Sequence, residues 1–431
     1  MTRLHVFSEI GRLRRVILHR PGPEIDRMVP SMMERLLFDD ILFGDEARDE
    51  HDLFRGVFEK AGVAVLEAED LLCEVMAIPA ARELLLTELD QEYDISRRVM
   101  DRLHDLEPTK LAKVMIEGLP AETNPNSRRR HPRFFDLDPL PNYFFQRDPQ
   151  AVVGDRVMIS SMATEARDRE PLLGRLLFEF HPAVGGKGRA FEIDQPIGLV
   201  RGTPRPGAHG APYPTVEGGD VLVASPDTLL VGLSERTNRR GVEQLAEYLR
   251  AEETPFRHLI VVELPPRRTY MHLDTVFTFI DRGLCLAHLP VIERGGPESA
   301  HVYYVDLTAV ELTFAVKPSL LATLAGLGME LEVVPCGGPH DLIDQQREQW
   351  TDGANAVALA PGVILLYHRN HRTIEQLALR GWRVVSEEDV VLRGVPVHDH
   401  GPTVITLYGN ELSRARGGPR CMTAPLERDS P

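Results

Sequence analysis

Paired cysteines are the plainest thing missing from this 431-residue chain. The four it has, Cys73, Cys285, Cys336 and Cys421, are scattered, with no CxxC among them. That spacing excludes a disulfide frame or a zinc knuckle and favours reduced thiols in a cytoplasmic protein. No apolar run approaches membrane-spanning length, and Met1–Arg15 has no signal-type apolar core. Positive charge is also short: 49 Lys and Arg against 65 Asp and Glu leave a net charge of −16. Nucleic-acid binding by bulk electrostatics is disfavoured, whereas a cationic small substrate would suit the field. The rest is ordinary for a globular protein, 43% apolar and 26% charged, with length for one or two domains and a large core.

A repeated unit organises the chain. In Glu217–Arg236 (EGGDVLVASPDTLLVGLSER), a polar Gly-rich segment precedes Val221–Ala224, a Ser-Pro-Asp turn and Thr228–Gly232, which together form a hairpin signature. Val242, Leu245 and Leu249 then share a helical face. The same order recurs three times. Arg147-Asp148-Pro149 leads into Ala151–Val153 and Val157–Ser160, with a helix over Leu172–Phe180. His272-Leu273-Asp274 leads into Val276–Ile280 and Leu284–His288. Asp352-Gly353-Ala354-Asn355 leads into Ala356–Leu359 and Val363–Tyr367, then a helix over Thr373–Leu379, a Gly381 cap and a strand over Trp382–Val385. Ser8–Pro21 is a weaker copy, with Val16–His19 strand-like. Such repetition argues for a radial or stacked α/β architecture. If equivalent strands point at a common axis, the polar residues before each first strand converge.

Between the first and second units the pattern changes. Strand Arg15–His19, helix Glu50–Ala61 and strand Val63–Leu66 give way to Glu67–Leu119, which reads as helix almost throughout. Ala80–Leu89 is a strong helix former; Ile95, Val99 and Leu103 form a stripe; Pro108 opens a helix with Leu111, Val114 and Met115 on one face, and Gly118 ends it. This predicts a helical bundle inserted into the array. Arg128–Arg133 reads as a solvated basic loop, and the Gly/Pro-rich stretch within Val184–Tyr213 as a connection or a cover over a site. The tail from Arg414 to Pro425 is glycine-rich around Cys421.

Several residues carry possible chemistry. Cys421 stands in a polar segment that reads as flexible, flanked by Arg416 and Arg420, and nearby cations lower a thiol's pKa. A lone cysteine is more often an inert small hydrophobe. His272 and Asp274 stand two apart at the start of a strand, so alternation puts them on the same side of it, which suits acid–base work. Glu217 and Asp220 flank two glycines, so they are either solvated acids of a tight turn or a close backbone approach to a ligand. His398-Asp399-His400 looks metal-like but has no third ligand nearby, and reads as a surface loop. One thiol, one imidazole and several carboxylates at equivalent repeat positions could enclose a planar cation. Arg167, Arg236 and Arg416 could hold a carboxylate at its far end, which together describes arginine.

The motifs NYFFQRDP, EGGDVLV with GLSERT, MHLDTVFT, GANAVALAPGVILLYHRN and RGGPRCMTAP, with the opening VFSEIGRLRRVILHRP, resemble those of bacterial arginine deiminase, in the same order. The resemblance covers nearly the whole chain. It implies a five-bladed pseudo-symmetric α/β propeller of ββαβ-type repeats over 1–66 and 138–431, with an α-helical bundle inserted at 67–137. It implies Cys421 as nucleophile, His272 as general acid/base, Glu217 as guanidinium ligand and aid to protonation, and Asp148 and Asp274 as grips on guanidinium nitrogens. Asn142, Arg167 and Arg236 match positions that bind the α-carboxylate or amino end, and Arg416 matches an arginine on a mobile loop. Gln146 and Ala424 depart from the common pattern beside the site.

The expected reaction is hydrolysis of L-arginine to L-citrulline and ammonia, with no metal or organic cofactor. The expected partner is that small molecule, without nucleic acid or membrane, in a homo-oligomer. A related guanidino enzyme (agmatine deiminase, amidinotransferase, methylarginine hydrolase) or a non-catalytic arginine-binding protein are the rivals. Agmatine lacks the carboxylate that Arg167 and Arg236 would meet.

Overall fold

The computed structural model describes residues 3–93, 95–122, 134–185, 190–193, 213–252, 254–296, 298–398 and 400–430. Arg128–Arg133, most of the Gly/Pro-rich stretch and Asp399 lie outside these.

Hairpin-forming sequences with buried faces become sheets of one pattern, repeated five times: two antiparallel strands, then a third parallel to the second. Gln150–Val153 pairs with Arg156–Ile159, which takes Ala190–Glu192 alongside. Val221–Ser225, Thr228–Leu233 and His258–Glu263 form the next, extended by His301–Asp306 and Ala315–Lys317. Phe277–Asp281, Leu284–Ala287 and Glu332–Pro335 form another. So do Val357–Ala360, Val363–Tyr367 and Thr403–Leu407, with Arg383–Ser386 at the edge. The fifth joins the two ends of the chain: Ala424–Arg428 runs antiparallel to Leu13–Leu18, which is parallel to Ala64–Glu67.

A parallel third strand needs a crossover, and helices supply it. Gly44–Lys60, Arg169–Phe180, Arg239–Ala251, Leu320–Gly326 and His371–Leu379 precede the respective third or edge strands. Val242, Leu245 and Leu249 are buried as their spacing predicts. Gly381 takes φ +83° just after His371–Leu379, a conformation that suits a residue without Cβ.

The strand predicted at Trp382–Val385 forms over Arg383–Ser386, at the sheet edge, because Thr403–Leu407 takes the place beside Val363–Tyr367. One expectation is corrected. The tail is not a flexible polar segment: Gly417–Leu426 is buried and ends in a paired strand.

Helices Ala68–Met76, Pro79–Glu92, Arg97–His104 and Pro108–Glu117 follow Ala64–Glu67, with Pro79 and Pro108 at their first turns. Leu72, Leu85, Leu103 and Leu111 are fully buried and belong to one continuous apolar cluster with Leu176 and Val157 of the neighbouring helix and sheet. These four helices therefore share their core with the sheet that follows. Among the described residues no helix is long and apolar enough to cross a membrane.

Candidate active site

The segment before the first strand of each unit is a tight turn, and these turns meet. Asn142–Phe145 turns through the Phe145 N–H to the Asn142 carbonyl (2.9 Å), and Gln146 closes the turn by donating to the Tyr143 carbonyl (2.6 Å). Gly218–Asp220 is a single turn of 3₁₀ helix. A Cβ on Gly218 would collide with the Arg147 carbonyl, and one on Gly219 would lie 2.6 Å from His272 Nδ1, so both glycines permit a close approach. Leu273–Thr275 is a second 3₁₀ turn, entered from His272. The strand alternation expected for His272 and Asp274 is thus incorrect, because the turn precedes the strand at Phe277. Both side chains are nevertheless buried at the same site. Asp220 joins the two turns: Oδ1 accepts from the Leu273 N–H (2.8 Å) and Oδ2 from Ser234 Oγ (2.7 Å). Asp220 is a strut of the site rather than one of its walls.

His272 is the hub. Its Nε2 lies 2.9 Å from Glu217 Oε2, and its Nδ1 3.7 Å from Asp148 Oδ1. Burial would strip the imidazole of its proton, but the charges of Asp148, Glu217 and Asp220 and the Glu217 hydrogen bond overcome it, raising the pKa to about 9. Glu217 is the mirror case. Burial would raise it, yet the His272 hydrogen bond and the charges of Arg236, His272 and Arg167 bring it to about 2. At neutral pH this is an imidazolium against a carboxylate. Asp148 Oδ2 accepts from Arg167 Nη1 (2.5 Å), while Oδ1, facing His272, has no hydrogen-bond partner.

Cys421 closes the ring. Its Sγ lies 4.0 Å from Asp274 Oδ2, which accepts from Arg420 Nη1 (2.7 Å). Arg420 is itself buried and doubly bonded to Glu9 at 3.1 Å. Asn355 Oδ1 accepts the backbone N–H groups of Arg420 (3.0 Å) and Cys421 (3.3 Å), fixing the turn that presents the thiol. The expectation that Arg416 and Arg420 lower the thiol's pKa is overturned. Burial, then the charges of Asp274, Asp148 and Asp352, push it well above its ordinary value. The Arg420 cation is neutralised by Glu9 and Asp274 before it can act on the sulfur.

Asn142, Asp148, Arg167, Arg236, His272, Arg416 and Cys421 all line one cavity. Glu217 and Asp274 stand behind it, hydrogen-bonded to His272 and within reach of the thiol. The four residues expected at the substrate's tail differ in availability. The Asn142 amide donates to the Leu36 carbonyl (2.8 Å), and Arg167 is gripped by Asp148 and Glu170. Among the described residues, the Arg236 guanidinium makes one long contact, to Thr164 Oγ1 (3.4 Å), and Arg416 lies over the Trp350 ring with its guanidinium carbon 3.3 Å from the centroid. Arg268, which sequence reasoning overlooked, lines the same cavity. Glu9, Asn355, Arg420 and Glu170 were also missed as site supports. The only signal for Asn355 was its place before a first strand; Glu9 had none beyond lying in the weakest repeat.

Asp148, Glu217 and His272 present three potential ligand atoms within 4.8 Å of one another. Two carboxylates and an imidazole in that space could hold a metal ion, and equally the N–H groups of an organic cation. Arg167 already occupies one carboxylate and His272 the other, as hydrogen-bond donors. Away from this site, His398 Nε2 lies 3.1 Å from the Ala61 carbonyl.

A buried thiol, a carboxylate-held imidazole and a set of carboxylates and guanidinium groups around one cavity, on five like α/β sheets, are the equipment of an enzyme acting on a small charged molecule. Comparison with known proteins makes the class specific. The family model described as arginine deiminase matches residues 34–428. The chain is 36% identical to the arginine deiminase of Streptococcus equi subsp. zooepidemicus (strain H70), over 99% of this chain and 98% of that one. It is 34% identical to that of Streptococcus pneumoniae serotype 19F (strain G54), with the same coverage. This chain belongs to the arginine deiminase family. Among solved structures it resembles in fold an amidinotransferase of the saxitoxin pathway from Microseira wollei (TM-score 0.56, 15% identity, 99% and 98% of the two chains). It also resembles the inosamine-phosphate amidinotransferase of Streptomyces griseus (TM-score 0.52, 15% identity, 100% and 98%).

Proposed function

We propose that this enzyme hydrolyses L-arginine to L-citrulline and ammonia through a covalent bond to Cys421. The observation that carries the reading is convergence: Cys421, His272, Glu217, Asp148 and Asp274 come from four different units and surround one space. Asp148 and Asp274 grip the guanidinium nitrogens, and Glu217 binds the guanidinium and, bonded to His272, aids protonation. Arg236, with Arg167, Asn142 and Arg416, takes the α-carboxylate and amino end. The reading extends to the architecture, with the five sheets as blades of a pseudo-symmetric propeller over 1–66 and 138–431, and 67–137 as an inserted helical domain. It includes a cytoplasmic setting and self-association as a homo-oligomer.

The chemistry starts from an obstacle. A guanidinium is a resonance-stabilised cation and a poor electrophile, and the resting thiol is protonated. The arriving cation solves the second difficulty: a positive charge beside Cys421 offsets Asp274, Asp148 and Asp352, and the thiol loses its proton to solvent. The thiolate then attacks the guanidinium carbon and one C–N π pair moves to nitrogen, giving a tetrahedral adduct. The His272 imidazolium donates a proton to the departing nitrogen, the C–N bond breaks and ammonia leaves. An amidino-thioether remains. Neutral His272 takes a proton from water as its oxygen bonds to the same carbon, and collapse of this second adduct expels the Cys421 thiolate and yields citrulline. Both carboxylates hold the carbon in line with the sulfur, and a buried site strengthens each contact.

Colorimetric citrulline and parallel ammonia measurements test the reaction, with one of each expected per arginine. Cys421→Ser should lower citrulline formation at least about 10³-fold while arginine binding stays measurable by calorimetry. Undiminished turnover would remove Cys421 as the nucleophile. Agmatine, without the carboxylate, should be turned over poorly; a preference for it would move the chain's substrate to the decarboxylated amine.

A further inference from the structure

Asp274 uses one of its two oxygens within the protein. Oδ2 accepts from Arg420 Nη1 (2.7 Å), while Oδ1, equally buried, has no hydrogen-bond partner among the described residues. Asp148 is divided in the same way, with Oδ2 on Arg167 and Oδ1 facing His272. A carboxylate that meets an arginine fork often gives it both oxygens, in two parallel bonds. Something therefore keeps Arg420 from the second oxygen of Asp274.

Glu9 is the restraint. Its Oε2 accepts from Arg420 Nε and its Oε1 from Arg420 Nη2, both at 3.1 Å. The Val221 carbonyl takes a further bond from Nη2 (2.9 Å). One edge of the guanidinium is thus occupied, and Nη1 is what remains for Asp274. Glu9 is itself fixed at both ends. Its N–H donates to the Val223 carbonyl (2.9 Å), and its Oε1 accepts from the Val223 N–H (3.1 Å). Beside it, Ser8 Oγ accepts from the N–H groups of Ile10 (3.0 Å) and Gly11 (3.1 Å). Glu9, Arg420 and Asp274 are all buried. Burial would raise the Glu9 pKa, but the charges of Arg420, Arg147 and Arg428 and the Arg420 hydrogen bonds bring it to about 2.

We propose that Glu9 is a positioning residue for the reaction at Cys421: by holding one edge of Arg420 it confines that arginine to Oδ2 of Asp274 and keeps Oδ1 for the substrate's guanidinium. The role rests on the reading of the cavity as an arginine site. Glu9 stands outside the cavity lining and acts through Arg420. Its charge has a second consequence. Glu9, Arg420 and Asp274 together carry one net negative charge, and Asp274 also faces His272 and Asp148. The thiol nearby is faced by Asp274, Asp148, Asp352, Arg416 and Tyr367. Without the Glu9 charge the trio is neutral and repels a thiolate less. The released edge of Arg420 then turns onto Asp274 and takes Oδ1. Loss of Glu9 therefore makes the resting thiol more acidic and substrate binding weaker, a pairing that mere loss of packing does not produce.

Glu9→Gln in the full chain tests both effects. Citrulline formation should show KM for L-arginine raised at least about tenfold, with kcat per folded enzyme changed less than about threefold. Alkylation of Cys421 by iodoacetamide, followed against pH by mass spectrometry of its peptide, needs no substrate. Its midpoint should fall by about one pH unit. With Arg420→Gln already present, adding Glu9→Gln should change KM less than about twofold and leave the midpoint in place. Should Glu9→Gln not fold, Glu9→Asp carries the test. There the charge stays and the reach shortens, so the midpoint holds while KM rises at least about threefold. An unchanged KM in whichever of the two folds overturns the proposal, as does a Glu9→Gln midpoint that stays or rises. So does a loss confined to kcat and melting temperature, or an undiminished effect in the Arg420→Gln background. A native enzyme that makes no citrulline defeats the substrate reading instead, and the alkylation midpoints then decide whether Glu9 acts on the site through Arg420.

Discussion

Much of the site's behaviour is set by single side chains whose charge burial opposes. His272 and Glu217 hold one hydrogen bond between them, and each shifts the other in the direction that keeps both charged. The His272 pKa rises from 6.5 to about 9, so its contribution to stability is complete below pH 6.5 and lost as pH climbs through about 9. Glu217 falls from 4.5 to about 2, so its contribution is complete above pH 4.5 and lost on acidification toward about 2. Both contributions are therefore whole between pH 4.5 and 6.5. Thermal melts should show the native protein losing stability from pH 6.5 to 9, with His272→Asn flattening that limb. An unchanged slope in the variant would place the titration elsewhere. The neighbouring acids separate by role in the same way. Asp148→Ala removes a wall of the cavity and should lower turnover by at least about 10³-fold. Asp220→Ala leaves the buried Leu273 N–H and Ser234 hydroxyl unpaired, which costs about 1–3 kcal/mol each. It should lower the melting temperature while the folded fraction keeps turnover within tenfold. Equal losses in kcat would mean that Asp220, too, acts on substrate.

At the scale of elements, the unit is a turn followed by a hairpin, and function is carried by the turn. Asp148, Glu217, Asp274, Asp352 and Cys421 each stand a few residues before the first strand of a sheet. Four of those hairpins are legible because a turn signal separates two short apolar runs, a pattern local to about fifteen residues. The fifth was not, because its first strand and its second lie at opposite ends of the chain: Ala424–Arg428 has its hairpin partner at Leu13–Leu18. No local signal marks a strand whose neighbour is so distant, and APLER alone has neither alternation nor a turn. That single gap produced the misreading of the Cys421 segment as flexible and of its thiol as activated by the flanking arginines. Residue types around Cys421 were read correctly, but the direction of the Arg420 side chain, away from the sulfur and onto Glu9, is a tertiary fact. Thr403–Leu407 was hidden differently. Its apolar run is plain, but the strand over Trp382–Val385 already supplied a third strand for that unit, and sheet order is not written in periodicity. The helices between Ala68 and Glu117 were legible because amphipathic spacing and proline at the first turns are local; that their core merges with the next sheet was not.

At the scale of the whole molecule, the strand that completes the fifth sheet also holds Cys421 in place. Cys421 is fixed on one side by Asn355, and three residues later the chain enters Ala424–Arg428. Leu426 is fully buried, its carbonyl accepts from the His5 N–H (2.9 Å), and the Arg428 N–H donates back to the His5 carbonyl (2.7 Å). The buried Arg428 guanidinium spans two further elements, donating to the Gly11 and Ala358 carbonyls at 2.8 Å each. Burying a leucine is worth about 1.5–3 kcal/mol, and each hydrogen bond left unmade in the interior costs about 1–3. The strand as a whole therefore contributes several kcal/mol, against a total stability of roughly 5–15. Deleting 424–431 removes no residue that touches substrate, yet it should leave no cooperative melt and no citrulline. Deleting only Ser430 and Pro431, beyond the paired strand, should leave both intact. A 424–431 deletion retaining more than a tenth of native turnover would show that the Asn355 contact alone can present the thiol, and that closure of the fifth sheet serves the chain's ends and not its chemistry.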